Sequence, residues 1–142
     1  MRIGVIGLQG HVNYFLEGAR QVEGCQIVAV SNAVQSAAES FVRREELAAG
    51  AEIYHDWRHL VEHTLMDVCL VAGENGEWAE QLIELAGRGV HIVTEKPLTT
   101  NLADMERVEL AMEATESRLT MLLTMRHDSK YWTMRNLASK IC

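Results

Sequence analysis

Arg2-Ile3-Gly4-Val5-Ile6-Gly7-Leu8-Gln9-Gly10 opens the chain, and the segment from His11 to Val22 follows it. Residues 2–6 are almost continuously apolar, as a strand covered on both faces must be. Residues 7–10 hold two glycines in four positions and read as a tight turn. Val12, Phe15, Leu16 and Ala19 then recur at spacings of three and four, so one side of a helix is apolar. A buried strand, a glycine turn and an amphipathic helix make the first half of a βαβ unit. Such a turn sets the helix N-terminus, with its free N–H groups and positive dipole end, above the strand tip. That arrangement suits a phosphate.

Outward from this stretch the same alternation repeats. Gly24 marks a turn, Gln26–Val30 is a second strand, and Ser31-Asn32 ends it. A helix is predicted over Ala37–Ala49, with Phe41, Val42, Leu47 and Ala48 inward and Arg43, Arg44, Glu45 and Glu46 outward, closed by Gly50. Glu52–Tyr54 is a short third strand, and Asp56 caps a short helix through His63. Asp67–Ala72, apolar on both faces, is a central fourth strand. A helix starting at Asn75 or Gly76 carries Leu82, Ile83, Leu85 and Ala86 and closes at Gly87 or Gly89. Val90–Thr94 is the fifth strand, left by Glu95-Lys96-Pro97. Thr100 or Asn101 caps a helix over Leu102–Ser117, with Asp104 and Glu106 near its positive end. Arg118–Thr124 is a sixth strand and Asp128–Ile141 a final helix. The pattern predicts an α/β fold: a doubly wound parallel sheet (Rossmann fold) of about six strands, with helices on both faces and strand order 3-2-1-4-5-6. In that order the connections diverge between strands one and four, and the crevice there is the default ligand site.

At 142 residues the chain is long enough for one domain with a sizeable core. Its net charge of −7 argues against nucleic acid or an anionic membrane as partner. No apolar run approaches the roughly 18 residues of a membrane span. A core strand beginning at Arg2 leaves no room for a cleaved leader. Cys25, Cys69 and Cys142 are widely spaced and form no CxxC pair. They read as reduced thiols of a cytoplasmic protein, two of them in strands. His59-Leu60-Val61-Glu62-His63 spells H-x-x-E-H, and His55 extends a spacing of four along one helix face. The helix is short, remote from the strand ends, and followed by no clear third ligand. The preferred reading is a solvated polar face, and no metal site is assigned. Met105, Met112, Met121, Met125 and Met134 read as core fillers, some facing a further domain. Trp57 and Trp78 read as packing residues.

Three segments carry a family resemblance. Gly4-Val5-Ile6-Gly7-Leu8 opens the chain; Tyr54-His55-Asp56-Trp57-Arg58-His59-Leu60 precedes Asp67-Val68-Cys69-Leu70-Val71-Ala72; and Val93-Thr94-Glu95-Lys96-Pro97-Leu98 stands at the exit of strand five. With this spacing the chain resembles the Gfo/Idh/MocA oxidoreductases, the glucose–fructose oxidoreductase and inositol dehydrogenase group. The resemblance covers the N-terminal half of a typical member. It implies that Lys96 sits beside a nicotinamide and a substrate hydroxyl, where an amine whose pKa is lowered by neighbouring positive charge can take the hydroxyl proton. Glu95 would orient the amine, and Pro97 would fix the strand exit.

The chain also departs from the family pattern. The G-x-G-x-x-G motif runs Gly7-Leu8-Gln9-Gly10-His11-Val12, with Gln9 and Val12 in place of the second and third glycines. Gly10 is left to supply part of the lost freedom, and Gln9 to cover the site. His11 has two readings, a contact to phosphate or substrate and a cap on the turn. Strand two ends in Ser31-Asn32 without the carboxylate that binds ribose hydroxyls, a slight lean from NAD toward NADP; no arginine follows at once. The loop Ala72-Gly73-Glu74-Asn75-Gly76-Glu77-Trp78 keeps the family's Asn and adds two carboxylates expected near the nicotinamide edge.

The resemblance thus implies an NAD(P)-dependent oxidoreductase, with residues 1–125 as the dinucleotide-binding domain and 126–142 as the start of a segment crossing toward a C-terminal substrate domain. Arg126-His127, Tyr131 and Trp132 resemble that start. The expected cofactor contacts are Gly7, Leu8, Gln9, Gly10, His11, Ser31, Asn75, Glu95 and Lys96, with Lys96 catalytic. The substrate would be a sugar, polyol or related metabolite, and the full-length protein a homo-oligomer. The isolated chain would show little turnover. The alternative is a non-catalytic Rossmann-like module with a degenerate glycine loop, serving assembly or regulation.

Overall fold

Six parallel strands form one sheet in the order β3-β2-β1-β4-β5-β6. They are β1 (Arg2–Ile6), β2 (Gln26–Ser31), β3 (Glu52–Tyr54), β4 (Val68–Val71), β5 (His91–Thr94) and β6 (Leu119–Met121). The helices are α1 (Val12–Ala19), α2 (Gln35–Arg44), α3 (Trp57–His63), α4 (Trp78–Gly87), α5 (Leu102–Glu113) and α6 (Ser129–Ala138), with single 3₁₀ turns at Glu46–Ala48, Asn75–Glu77 and Thr124–Arg126. The structure, a computed structural model, describes residues 1–73, 75–126 and 128–141, with Asn75 described by its backbone alone. Glu74, His127 and Cys142, to which the sequence reading assigned roles, lie outside the described residues.

Strand side chains alternate onto two cores, with a register shift between Ile27 and Ala29 that puts Ile27 and Val30 on one face, and this places helices on both faces. Ile3 and Val5 of β1, Ile27 and Val30 of β2, and Leu70 of β4 pack with Val12, Leu16 and Ala19 of α1 and Ala38 of α2. Ile6, Ala29, Cys69, Val71 and Ile92 face the opposite way, onto Trp57, Leu60 and Val61 of α3, Leu82 and Leu85 of α4, and Val108 of α5. The order and the two-sided layering are those expected from the sequence. Trp57 and Trp78 are buried packing residues, as expected.

Several boundaries differ. The helix expected over residues 37–49 breaks at Glu45, which takes an extended conformation. Glu45 was expected outward and is buried instead: it accepts the Leu47 N–H and pairs with Arg20 of the facing α1 segment. An acidic residue reads as solvated in any helical wheel, and only the partner across the fold reverses that. The α5 helix stops at Glu113, four residues early, because the chain must turn back to begin β6. Ser117, in that turn, donates its hydroxyl to the Ala86 carbonyl at the end of α4. Asn101 rather than Thr100 caps α5, accepting the Asp104 N–H at 2.9 Å. The β6 strand pairs over three residues only before the chain leaves the sheet. Cys25 precedes β2 and is not in a strand, whereas Cys69 lies in β4. No residue of α6 is buried, and Tyr131, Trp132, Met134 and Leu137 are exposed along it. No helix among the described residues is long and apolar enough to cross a membrane.

Candidate functional site

The carboxyl ends of β1, β2 and β4 meet at Gly7. Its N–H donates to the Ser31 carbonyl at 2.8 Å, and the Gln9 N–H donates to the Ala72 carbonyl at 2.9 Å, so the turn is stitched to the strands on either side. Gly7 has φ of +78°, and a Cβ there would stand 2.2 Å from the Gly73 Cα. Only glycine satisfies both the left-handed backbone and that approach. Beyond the turn opens a cleft of about 640 Å³. Its walls are the turn (Gly7, Leu8, Gln9), the end of β2 and its loop (Ser31 to Val34), the β3–α3 junction (His55 to Arg58), and the β4–α4 segment (Gly73, Gly76, Glu77, Gln81). The volume falls within the range of small-molecule sites, roughly 300–1,000 Å³.

On the other side of the turn, Glu95 leaves β5 with its N–H on the Val71 carbonyl at 3.0 Å. Its side chain is only 4% exposed. The carboxylate accepts the His11 N–H, lies 3.0 Å from His11 Nδ1, and accepts the Lys96 N–H at 3.2 Å. A Cβ on Gly10 would stand 2.7 Å from the Glu95 carboxyl carbon, and Gly10 has φ of +66°. Gly10 therefore makes room for this carboxylate, which sits on the amide of His11, the residue just before α1, where a helix N-terminus favours an anion. Sequence reading gave Glu95 the task of orienting the Lys96 amine. Its hydrogen bonds go instead to His11 and to backbone N–H groups. The His11 ring makes no cap on α1; it faces Glu95. Lys96 itself is exposed, beside a cis Lys96–Pro97 peptide.

Of the expected contact residues, Gly7, Leu8, Gln9 and Ser31 line the cleft, while Gly10, His11 and Glu95 form the knot beside it. The side chain of Asn75 lies outside the described residues. The sequence missed the β3–α3 junction. Asp56 caps α3, accepting the Arg58 N–H at 2.8 Å. Glu77 accepts the Trp57 indole N–H at 2.9 Å and the Arg58 guanidinium at 3.0 Å, and that guanidinium lies 4.4 Å over the Trp57 ring. The indole N–H, then Arg58, holds the Glu77 carboxyl below the ordinary carboxylate range. Glu77 is thus tied to α3 by two donors. The signal that could have found this cluster is the register: Ser31 pairs with Tyr54, so whatever follows β3 stands beside the end of β2.

His59 and His63 lie 6.1 Å apart, ring to ring, and the latter is exposed. Among the described residues no group of three or more His, Cys, Asp or Glu side chains comes together to hold a metal.

The cleft suits a dinucleotide. Among the described residues no protein acceptor takes the N–H groups of Leu8, Gly10 and Val12, which leaves three amides at the turn for a pyrophosphate. A Cβ on Gly73 would meet nothing closer than 3.9 Å, and one on Gly76 nothing within 4 Å, so that wall is open for close approach. The Gln81 carboxamide oxygen, buried at the cleft, has no hydrogen-bond partner among the described residues.

Residues 1–123 match the family described as "Oxidoreductase family, NAD-binding Rossmann fold", designated GFO_IDH_MocA. The myo-inositol 2-dehydrogenase of Thermotoga maritima is 31% identical over 125 residues, which is 87% of this chain and 35% of that protein. A scyllo-inositol 2-dehydrogenase (NADP(+)) of Bacillus subtilis is 24% identical over 152 aligned residues, covering 100% of this chain and 45% of that protein. Among solved structures, that of a probable dehydrogenase from Thermotoga maritima superposes with a TM-score of 0.81 at 25% identity, covering 99% of this chain and 41% of that one. The chain therefore spans less than half the length of these relatives.

Proposed function

This chain belongs to the Gfo/Idh/MocA oxidoreductase family, and from that premise we propose that it is the dinucleotide-holding part of an enzyme that moves hydride to or from a hydroxyl-bearing carbon. The observation that carries this reading is the stitched Gly7 turn, whose Gly7, Leu8 and Gln9 line a cleft of about 640 Å³, with the amides of Leu8, Gly10 and Val12 taken by no acceptor among the described residues. Residues 1–125 hold NAD or NADP, and residues 126–142 begin the segment that leads toward a substrate domain. The turn amides take the pyrophosphate, and Ser31 faces the adenosine ribose. Asn75, Glu95 and Lys96 serve the nicotinamide side. The inositol dehydrogenases among the relatives support a sugar or polyol substrate.

The nicotinamide, when bound, accepts or supplies the hydride. Lys96 takes the hydroxyl proton as hydride departs, and its exposed position leaves the amine free to do so. Glu95 acts at one remove: by binding the His11 amide and the Lys96 amide together, it fixes the exit of β5 against the start of α1. Lys96 is held at a set place relative to the turn for that reason.

Calorimetric titration of the chain with NADPH and NADH tests the reading. Micromolar binding of either supports it. Absence of binding to both leaves the second reading, a Rossmann-like module without cofactor, which the Glu95 carboxylate on the His11 amide at the start of α1 favours. Where a substrate domain is present, Lys96→Ala should abolish turnover and spare nucleotide affinity. Unchanged turnover would remove Lys96 from its role.

A further inference from the structure

The end of β2 carries no acidic side chain, since Ser31-Asn32-Ala33-Val34 lead away from it, and no arginine follows in the loop. The sheet supplies one from elsewhere. Ser31 pairs in register with Tyr54, and the Asn32 N–H donates to the Tyr54 carbonyl at 3.2 Å. The chain then runs through His55 and Asp56 into α3, so that Arg58 lines the same cleft as Ser31 and Asn32. Among the described residues that line it, Arg58 is the lysine or arginine side chain available.

The guanidinium is held in a way that leaves it able to change partner. Its side chain is 53% exposed. One face lies against the Trp57 ring, which fixes its plane, and one edge meets Glu77 at 3.0 Å; Asp56 is more distant, at 3.7 Å. An exposed ion pair of this kind is worth little. Both carboxylates have other donors that keep them in place: the Trp57 indole N–H for Glu77, and the Arg58 backbone N–H for Asp56. A phosphate dianion offers the guanidinium a two-pronged, charge-assisted contact stronger than the one it would share or give up.

Resting on the dinucleotide reading above, we propose that Arg58 is the residue that selects the cofactor, pairing with a phosphate on the adenosine 2′-oxygen, so that the chain takes NADP(H) in preference to NAD(H). Asp56 and Glu77 moderate the preference, since each repels the incoming phosphate.

The test is titration of the chain with adenosine 2′,5′-bisphosphate against AMP, and NADPH against NADH, in the wild type and in Arg58→Gln, with Arg58→Lys as the conservative variant. Arg58 is exposed, and circular dichroism confirms that each variant folds. The 2′-phosphorylated ligands should bind the wild type about tenfold tighter or more. Arg58→Gln should bring both ratios close to one, and Arg58→Lys should keep part of them. Raising salt should erode the wild-type ratio. Equal binding of the two ligand classes by the wild type overturns the proposal while leaving the dinucleotide site standing. So does a 2′-phosphate preference that survives Arg58→Gln. Failure of all four ligands to bind overturns both readings.

Discussion

At the scale of single residues, the glycines and the carboxylate beside them explain most of the site. Gly7 and Gly10 both have positive φ, and each admits a neighbour that a Cβ would displace: backbone at Gly7, the Glu95 carboxyl at Gly10. Gly10→Ala should therefore destabilise the chain by about 1–3 kcal/mol in urea unfolding, the range for backbone strain combined with a displaced contact. An unchanged midpoint would show that Glu95 does not occupy that space. Cys69 is fully enclosed in β4, and burial pushes its thiol pKa well up. It should resist alkylation until the chain unfolds; fast labelling in native buffer would contradict its placement. At this scale the sequence told much about Gly7 and little about Glu95. Sequence neighbours suggest that Glu95 serves Lys96, but it also binds His11, 84 residues away. Nothing in spacing or periodicity joins those positions. The fold alone does.

At the scale of elements, helix types were legible wherever apolar residues recur at three and four. Ends were legible only where a local cap sets them. Asp56 begins α3 and Asn101 begins α5 by bonding amides two or three residues on, which a sequence can show. The break at Glu45 and the early end of α5 depend on Arg20 and Ala86, partners remote in sequence. The β3–α3 junction is similar: Arg58 becomes relevant to Ser31 only through the strand register. Two expectations belong here. Glu77 links the β4–α4 segment to α3, and its folded carboxyl pKa lies below that of the unfolded chain. That contribution to stability is present above the ordinary carboxylate pKa, about 4.3, and is lost as pH falls through the lower folded value. Denaturation of wild type and Glu77→Gln at falling pH should show the gap between them close below about pH 4. A gap independent of pH would deny Glu77 this role. The α6 helix buries no side chain, so deleting residues 127–142 should cost less than about 1 kcal/mol. A larger loss would mean that this helix packs on the sheet.

At the scale of the whole molecule, the sheet order was the most legible feature, because alternating buried strands and amphipathic helices leave few right-handed topologies. The order then decides where chemistry gathers: the connections of β1 and β4 run to opposite faces, and the cleft lies at that divergence. Sequence and fold agree on a cleft headed by Gly7. They part over which residues furnish its far end, since the β3–α3 residues reach it through tertiary contact. The core is correspondingly sensitive. Leu70, fully buried in β4 between β1 and β5, should cost about 2–5 kcal/mol when replaced by alanine. The loss should appear in chemical denaturation; a loss below 1 kcal/mol would place Leu70 outside a close-packed interior.

The most direct test of the central claim is a backbone-amide NMR titration of the isotopically labelled chain with NADPH. Resonances of Leu8, Gly10 and Val12 at the turn, Ser31 and Asn32 at the end of β2, and Arg58 at the start of α3 should shift together along one binding curve. Shifts confined to α5 and α6, or no shift at millimolar ligand, would contradict it.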